Sequence, residues 1–217
     1  MSGFSRTPRL VKGAIVGVDP ANPLASIVVF QYNPESVSRT LTPAGPTGGN
    51  GRADPLRLSG PPAESVTVKV RMHAADQLDR GDPVASTLGL YPQLSALEML
   101  LYPKLSNVIA NSVLMQAGVV EIVPPEMPFT LFIWGRSRVV PIRITSFRVE
   151  EQLFDPNLNP IQLDVDLSFQ VLTYNDFPLS HLGFWTFLTH QAMKEVMAVI
   201  GSAGNLGAVA TGDAKLL

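Results

Sequence analysis

The sequence predicts a mainly β protein of the α+β class, with an antiparallel sheet, one short inserted helix and a C-terminal helix. Residues 161–172 alternate apolar and polar side chains over their whole length, and residues 64–74 do the same. Such alternation is typical of a strand with one packed and one solvated face, which antiparallel sheets allow. Between residues 182 and 200, apolar residues recur at helical spacing instead. We therefore expect a sheet that is wet on one face, followed by a helix.

The alternation assigns side chains to the two faces of the sheet. The packed face of residues 64–74 carries Val66, Val68, Val70 and Met72. The packed face of residues 161–172 carries Leu163, Val165, Leu167, Phe169 and Val171. The wet face of the second strand carries Gln162, Asp164, Asp166, Ser168 and Gln170. In the C-terminal helix, Trp185, Leu188, Ala192, Val196 and Val199 are predicted to form the apolar side, with His190, Lys194 and Glu195 opposite.

The other elements are predicted from composition and turn residues. Strands rich in Val, Ile and aromatic residues are expected over residues 9–18, 25–31, 36–42, 128–134 and 139–154. Residues 43–63 are rich in Gly and Pro and predict a long flexible loop, and residues 76–83 predict a polar connection. The inserted helix is expected at about residues 92–102, while residues 104–127 are compatible with a helix or an apolar loop. Residues 1–175 then form the β domain, and residues 176–217 form the C-terminal helix and a loose Gly-rich tail.

The composition favours a protein that works through contacts with other proteins. Charged residues make up 16% of the chain and hydrophobic residues 46%, whereas soluble domains usually carry about 25% charged residues. A surface so poor in charge is typical of a subunit that packs against partners. The net charge of −2 and the lack of a basic run give no support for nucleic-acid binding. No apolar stretch reaches the length of a membrane span, so no stable membrane insertion is expected.

No catalytic, metal or cofactor site is predicted. The chain has no cysteine, which excludes disulfides and thiolate sites. His181 and His190 are nine residues apart, which is not the spacing that places two imidazoles on one metal ion. Asp164 and Asp166 share a wet face, where solvated charges are the simplest interpretation. The Gly-rich segment 45–51 lacks the Lys-Ser/Thr of a phosphate-binding loop. The protein is therefore predicted not to be an enzyme.

Three stretches resemble a known family. They are VVFQYNPESVSRTL at residues 28–41, LSGPPAESVTVKVRMHA at residues 58–74, and the long segment from PFTLFIWGRSR to LDVDLSF at residues 128–169. In order and spacing they resemble the tube-like N-terminal domain of contractile injection system baseplate proteins, a phage tail-like family. The elements that carry the resemblance are Asn33-Pro34-Glu35 and Trp134-Gly135. It covers roughly residues 10–172.

The resemblance implies a β-sandwich or barrel of the tail-tube type. It also implies a ring, hexameric in the family, that joins the inner tube to the spike and baseplate, with assembly in the bacterial cytoplasm into a phage tail-like particle. The wet face of residues 161–172 is predicted to line the channel. The predicted interface residues are Phe30, Asn33, Pro34, Trp134, Gly135, Phe154, Phe184, Trp185 and Phe187. For Phe184, Trp185 and Phe187 of the C-terminal helix, packing in the core is the first interpretation and an interface anchor is the alternative.

The chain departs from the family pattern in two places, and two other functions remain open. Ile161-Gln162 stands where the family usually has an Arg-Ala pair, and no LysM segment of about 45 residues follows the tube-like part. A glycan-binding adaptor related to LysM is one alternative, because the family often carries that module. An enzyme with an unrecognised site is the other.

Overall fold

A computed structural model describes residues 12–18, 27–30, 33–45, 58–118 and 126–210, and its centre is one seven-stranded sheet. Every neighbouring pair of strands is antiparallel. The strands are β1 Ala14–Val18, β2 Ile27–Val29, β3 Val37–Thr42, β4 Ala63–His73, β5 Phe129–Ile133, β6 Val139–Phe154 and β7 Pro160–Val171. Their order is β2-β1-β5-β6-β7-β4-β3, so the sheet is open and ends in β2 and β3. The predicted mainly antiparallel class is confirmed. Parts of several predicted segments lie outside the described residues, namely 9–11, 25–26 and 31 of two strands, 46–57 of the loop, 119–125 of the ambiguous segment and 211–217 of the tail.

The alternating strands β4 and β7 bury the faces that the sequence assigned to the core. On β4, Val66, Val68, Val70 and Met72 are at most 3% exposed, and the five apolar residues of β7 are at most 1% exposed. The two strands pair with Val68 opposite Leu167, which places both apolar rows on the same side of the sheet. The core forms on that side because a strand can bury every second residue only if its partners share the register.

Strand β6 keeps its register with the core by means of a bulge. Its pairing with β7 shifts between Ile144 and Ser146. The apolar residues of β6 change parity at the same place, from Ile144 to Phe147 and Val149. One extra residue therefore turns Phe147 and Val149 back toward the core.

Between β4 and β5 the described residues form four helices, where the sequence predicted one helix and left residues 104–127 open. They are α1 Ala75–Asp79, α2 Pro83–Leu88, α3 Tyr91–Glu98 and α4 Leu105–Gln116. The expected polar connection at residues 76–83 contains α1 and the start of α2, which were missed because such short helices show no period. Asp82 caps the start of α2, where its carboxylate accepts a hydrogen bond from the Val84 amide at 2.8 Å. Asp is a preferred residue at this position, so the sequence did contain a signal for this helix start. The ambiguous segment 104–127 contains helix α4, so it is helical up to Gln116.

Helix α3 covers the packed face of the sheet. Leu94, Leu97 and Leu100 are at most 2% exposed and belong to the same core as Phe132 and Phe169. The helix ends at Glu98, four residues before the predicted end, because the amides of Leu100 and Leu101 bond to carbonyls only three residues back. The core is thus a sheet face covered by α3 and its flanking turns, together with Phe187 of the C-terminal helix.

The C-terminal helix, α5 Leu182–Ala210, differs from the prediction in length and in its buried face. It continues ten residues past the expected end at residue 200, so the first part of the predicted loose tail is helical. Gly183, Phe187 and His190 are buried, whereas Trp185, Val196 and Val199 of the predicted apolar side are 57%, 54% and 69% exposed. Only the first turns of α5 reach the sheet, so they alone determine the buried face. Among the described helices, none is long and apolar enough to cross a membrane.

Candidate functional site

The outer face of the sheet carries a ladder of paired polar side chains. The register places Lys69 opposite Asp166 and Arg71 opposite Asp164, and the corresponding ion pairs measure 3.4 and 2.7 Å. The next rung is a 3.2 Å hydrogen bond between the hydroxyls of Thr67 and Ser168. The five residues predicted for the wet face therefore do share one surface, with Gln162 and Gln170 bonded to Gln152 and Arg143 of β6. Exposed pairs of this kind contribute little to stability, because water screens their charges.

A groove of about 570 Å³ runs along this ladder beside residues 33–36. Arg71, Asp164 and Asp166 line it, and the Asn-Pro-Glu element forms part of its wall. The pKa of Arg71 is raised above its ordinary value, first by its hydrogen bond to Asp164 and then by the charge of that carboxylate. The amide of Gly13 donates to Asn33 Oδ1 at 2.9 Å, which ties this wall to the start of β1. The groove is a polar surface on which opposite charges are already matched.

The described residues bring no group of potential metal ligands together. No cluster of three or more His, Cys, Asp or Glu side chains occurs among them. His73 Nδ1 accepts from the Ala75 amide, and His181 Nδ1 accepts from the Gly183 amide, both at 3.0 Å. Asp164 and Asp166 each already have a cationic partner.

A second polar cluster lies on the opposite side of the sheet, at its corner with α5. Glu64 is only 6% exposed although it begins the packed row of β4. Arg39 of β3 donates to Glu64 Oε1 from Nε at 2.7 Å, and Lys194 of α5 lies 3.3 Å from Oε2. A buried carboxylate requires such partners because its charge loses water on folding. The sequence did contain a signal for this site, namely a charge in the packed register of an alternating strand.

His190 and the β5–β6 turn complete this corner. His190 is 6% exposed, and neither ring nitrogen meets the geometry of a hydrogen bond with a described residue, although the Ser137 backbone lies near enough to act on its pKa. Its pKa lies below the ordinary value, first because burial disfavours the charged ring and next because Lys194 is nearby. Burial likewise lowers the pKa of Arg138, and the charge of Arg39 adds to this effect. A pocket of about 240 Å³ opens at His190, between Arg136, Thr189 and Met193.

The residues predicted as interface anchors separate into three groups. Phe30 and Phe187 are 0% and 7% exposed and therefore pack in the core. Partly buried are Pro34, Trp134, Gly135 and Phe184, with Trp134 stacked on Phe132 at 5.8 Å. Exposed are Asn33, Phe154 and Trp185. Only the third group presents most of its surface to a partner.

Two helical segments expose apolar side chains that the sequence analysis did not single out. No residue of α4 is buried, and it presents Leu105, Ile109 and Val113 to solvent. Residues 191–202 of α5 are exposed on all sides and include Met193, Met197 and Ile200. The available signal was the absence of any charged residue in 105–116 and 196–210. Large exposed apolar patches are, in general, typical of interaction sites.

Comparison with known families and curated proteins does not assign this chain to a family. Neither models of known protein families nor the curated proteins contain a match to this chain. The fold and its surfaces define the class as a mainly antiparallel β-sheet protein with uncovered apolar helices.

Proposed function

We propose that this protein is a structural subunit of a contractile injection system baseplate and forms a ring that joins the inner tube to the spike. The observation that carries the proposal is the division of the three longest strands into a packed face and a wet face of matched charges. A channel wall needs a surface that stays wet and does not trap what passes along it. Paired charges provide this, because few are left to attract a passing polymer.

The open edges of the sheet also support a ring. Strand β2 exposes Ile27 and Val29, which are 45% and 53% exposed, and β3 lies at the other edge with Leu41 at 46%. Uncovered edge strands tend to pair with other chains. In the proposed ring, neighbouring copies cover these edges and complete a sandwich or barrel of the tail-tube type. By analogy with the resembling family, the ring has six copies.

The proposed partners are the inner tube protein, the spike and other baseplate components. Their contacts would use the uncovered apolar helices α4 and α5, for which the described chain provides no cover of its own. The proposed location is the bacterial cytoplasm, where the subunit assembles into a phage tail-like particle.

The test is co-expression with tube and spike proteins of a contractile injection system from the same genome, followed by purification and native mass spectrometry. We expect a closed oligomer whose mass is six times that of the subunit, bound to tube or spike. As a second arm, Asp164→Asn with Asp166→Asn removes the acids of the wet face. This variant should still assemble, while a catalytic function of that face would be lost. A protein that stays monomeric and never co-purifies with the tube or spike would refute the proposal.

A further inference from the structure

The hairpin that joins β6 to β7 ends in an acidic and apolar tip, residues 150–160. No Lys or Arg occurs between residues 149 and 163. Glu150 is paired with Arg148, but Glu151 is exposed and has no ion-pair or hydrogen-bond partner among the described residues. Leu153, Phe154 and Leu158 are 61%, 50% and 77% exposed. The tip thus presents an unpaired carboxylate next to three uncovered apolar side chains.

The tip is held rigidly in this form. The Asp155 carboxylate accepts hydrogen bonds from the amides of Asn157 and Asn159 at 2.7 and 2.8 Å. The Asn159 side chain also donates to the Thr87 carbonyl at 3.0 Å, which fastens the tip to α2. A preformed surface loses little freedom when it binds, which favours association.

A second surface lies at the other end of strand β6 and is here called the α5 root. It consists of Arg136, Arg138, His190, Met193 and Met197. It is the basic counterpart of the tip. At this corner Arg39 and Lys194 pair with the buried Glu64, and the charges of Arg39 and Glu64 also act on Arg138. The exposed Glu195 of α5 accepts a hydrogen bond from Gln191. Arg136 and Arg138 form no ion pair with any described residue. The α5 root therefore offers unpaired cations beside exposed methionines, 36% and 53% exposed.

The α5 root also contains a polar group that lacks a partner. His190 lines the 240 Å³ pocket, and its buried ring nitrogens make no hydrogen bond within the described chain. A buried polar group without a partner is costly. An incoming acceptor group, such as a carboxylate or a main-chain carbonyl, would satisfy the ring N–H.

The two surfaces lie at opposite ends of one strand. Val139 and Met193 line the same pocket, while Leu153 is fourteen residues further along β6. At about 3.3 Å per residue, roughly 46 Å of strand separates them, so they cannot meet within one copy. Complementary surfaces at opposite ends of a molecule generate head-to-tail association.

We propose that the hairpin tip of one copy docks on the α5 root of a second copy, with Glu151 facing Arg136 and Arg138, and Leu153 and Phe154 covering the exposed methionines. This inference rests on the proposed ring and names the contact that closes it. Each contact is small beside the roughly 800 Å² per partner of a stable interface. In a closed ring, however, every copy is held through both of its surfaces, and closure makes the last contact intramolecular.

Cross-linking tests the contact directly, because the chain has no cysteine of its own. Leu153→Cys combined with Met193→Cys creates the only two thiols, and a short bismaleimide joins them if the surfaces touch. We expect a ladder of covalent multimers on a denaturing gel. The matched control is Leu105→Cys with Met193→Cys, since Leu105 is 69% exposed on α4. The control should give no ladder, and unchanged urea midpoints should show that all variants fold.

Charge reversal provides a second readout. Glu151→Arg or Arg136→Glu alone should lower the cross-linking yield by about fivefold or more, because each places like charges face to face. The double variant Glu151→Arg with Arg136→Glu restores opposite charges and should recover the yield. A double variant no better than the single variants would count against the contact.

The outcomes separate this inference from the ring itself. A six-copy ring in native mass spectrometry, together with cross-linking no greater than in the α4 control, would overturn the docking and leave the ring intact. The same holds if the thiols link this chain only to a tube or spike protein. A protein that stays monomeric in the presence of the tube and spike proteins would refute both the docking contact and the ring.

Discussion

Replacing Arg39 with methionine removes the principal partner of the buried carboxylate Glu64. The Glu64 side chain is 8% exposed, and both Arg39 Nε and Nη2 lie within 2.7 Å of Oε1. Lys194 approaches the other oxygen at 3.3 Å and is itself 43% exposed. Methionine keeps much of the length of the arginine stem but cannot donate a hydrogen bond. The substitution therefore leaves Glu64 with the weaker of its two cations.

The expected loss follows from burial and distance. Removing one partner of a buried ion pair costs about 3–5 kcal/mol. Here Lys194 remains and the Arg39 side chain is 24% exposed, so water screens part of the charge. We expect Arg39→Met to lower the free energy of unfolding by about 2–3 kcal/mol. Lys194→Met, which removes the exposed and more distant partner, should cost only about 0.5–1 kcal/mol.

Urea unfolding followed by circular dichroism measures this difference as a shift in midpoint at constant slope. Arg143→Met is the matched control, because Arg143 is an exposed arginine with one hydrogen bond to Gln170, and it should change stability by at most about 0.5 kcal/mol. Adding Glu64→Leu to Arg39→Met removes the stranded charge and should recover part of the loss. Equal losses for the Arg39 and Lys194 variants, or no recovery in the double variant, would refute the reasoning.

Three further predictions concern the fold. Burial lowers the pKa of His190, so the unfolded chain takes up the proton at a higher pH than the folded chain does. Stability should therefore fall as the pH drops below about 6.5. In His190→Phe, the urea midpoint should depend less on pH between pH 5 and 7. Gly89→Ala should cost more than Gly81→Ala, since both glycines have positive φ, but only at Gly89 would the new Cβ meet a backbone oxygen, at 2.5 Å. Phe132→Ala should cost about 3–5 kcal/mol, while Val199→Ser, on the exposed part of α5, should stay within about 0.5 kcal/mol in the isolated protein.

Each of these predictions has a clear contrary result. A His190→Phe variant with the same pH profile as the parent would mean that another group titrates. Equal midpoints for the two glycine variants would show that the backbone oxygen near residue 89 moves aside freely. A large loss for Val199→Ser in the monomer would mean that α5 is covered within one copy.

The sheet was predictable where side-chain period and burial agree. Strand β7 has an unbroken alternation over residues 161–171, and the structure buries the predicted five residues. Strand β6 was predicted from its composition, whereas its bulge was not, although the apolar residues change parity between Ile144 and Phe147. The short helices α1 and α2 could not be recognised by period, because five or six residues make fewer than two turns.

The candidate sites were predictable only in part. The wet face followed from alternation alone, since every second residue of a strand faces the same side. The corner around Glu64 joins β3, β4, the β5–β6 turn and α5, and their sequence separation hides it. His190 was assigned to the polar side of its helix, yet it is buried because the docking angle of α5 places it against the turn at Ser137.

By itself, the sequence determined which residues form strands, which face of β4 and β7 is apolar, and that cysteine chemistry is absent. These properties depend on local period and composition, which need no partner. Tertiary structure alone decided the strand order, the length and buried face of α5, and the meeting of Arg39, Glu64 and Lys194. The physical reason is that burial and ion pairing depend on which distant segments approach one another, and a periodic pattern carries no information about that choice.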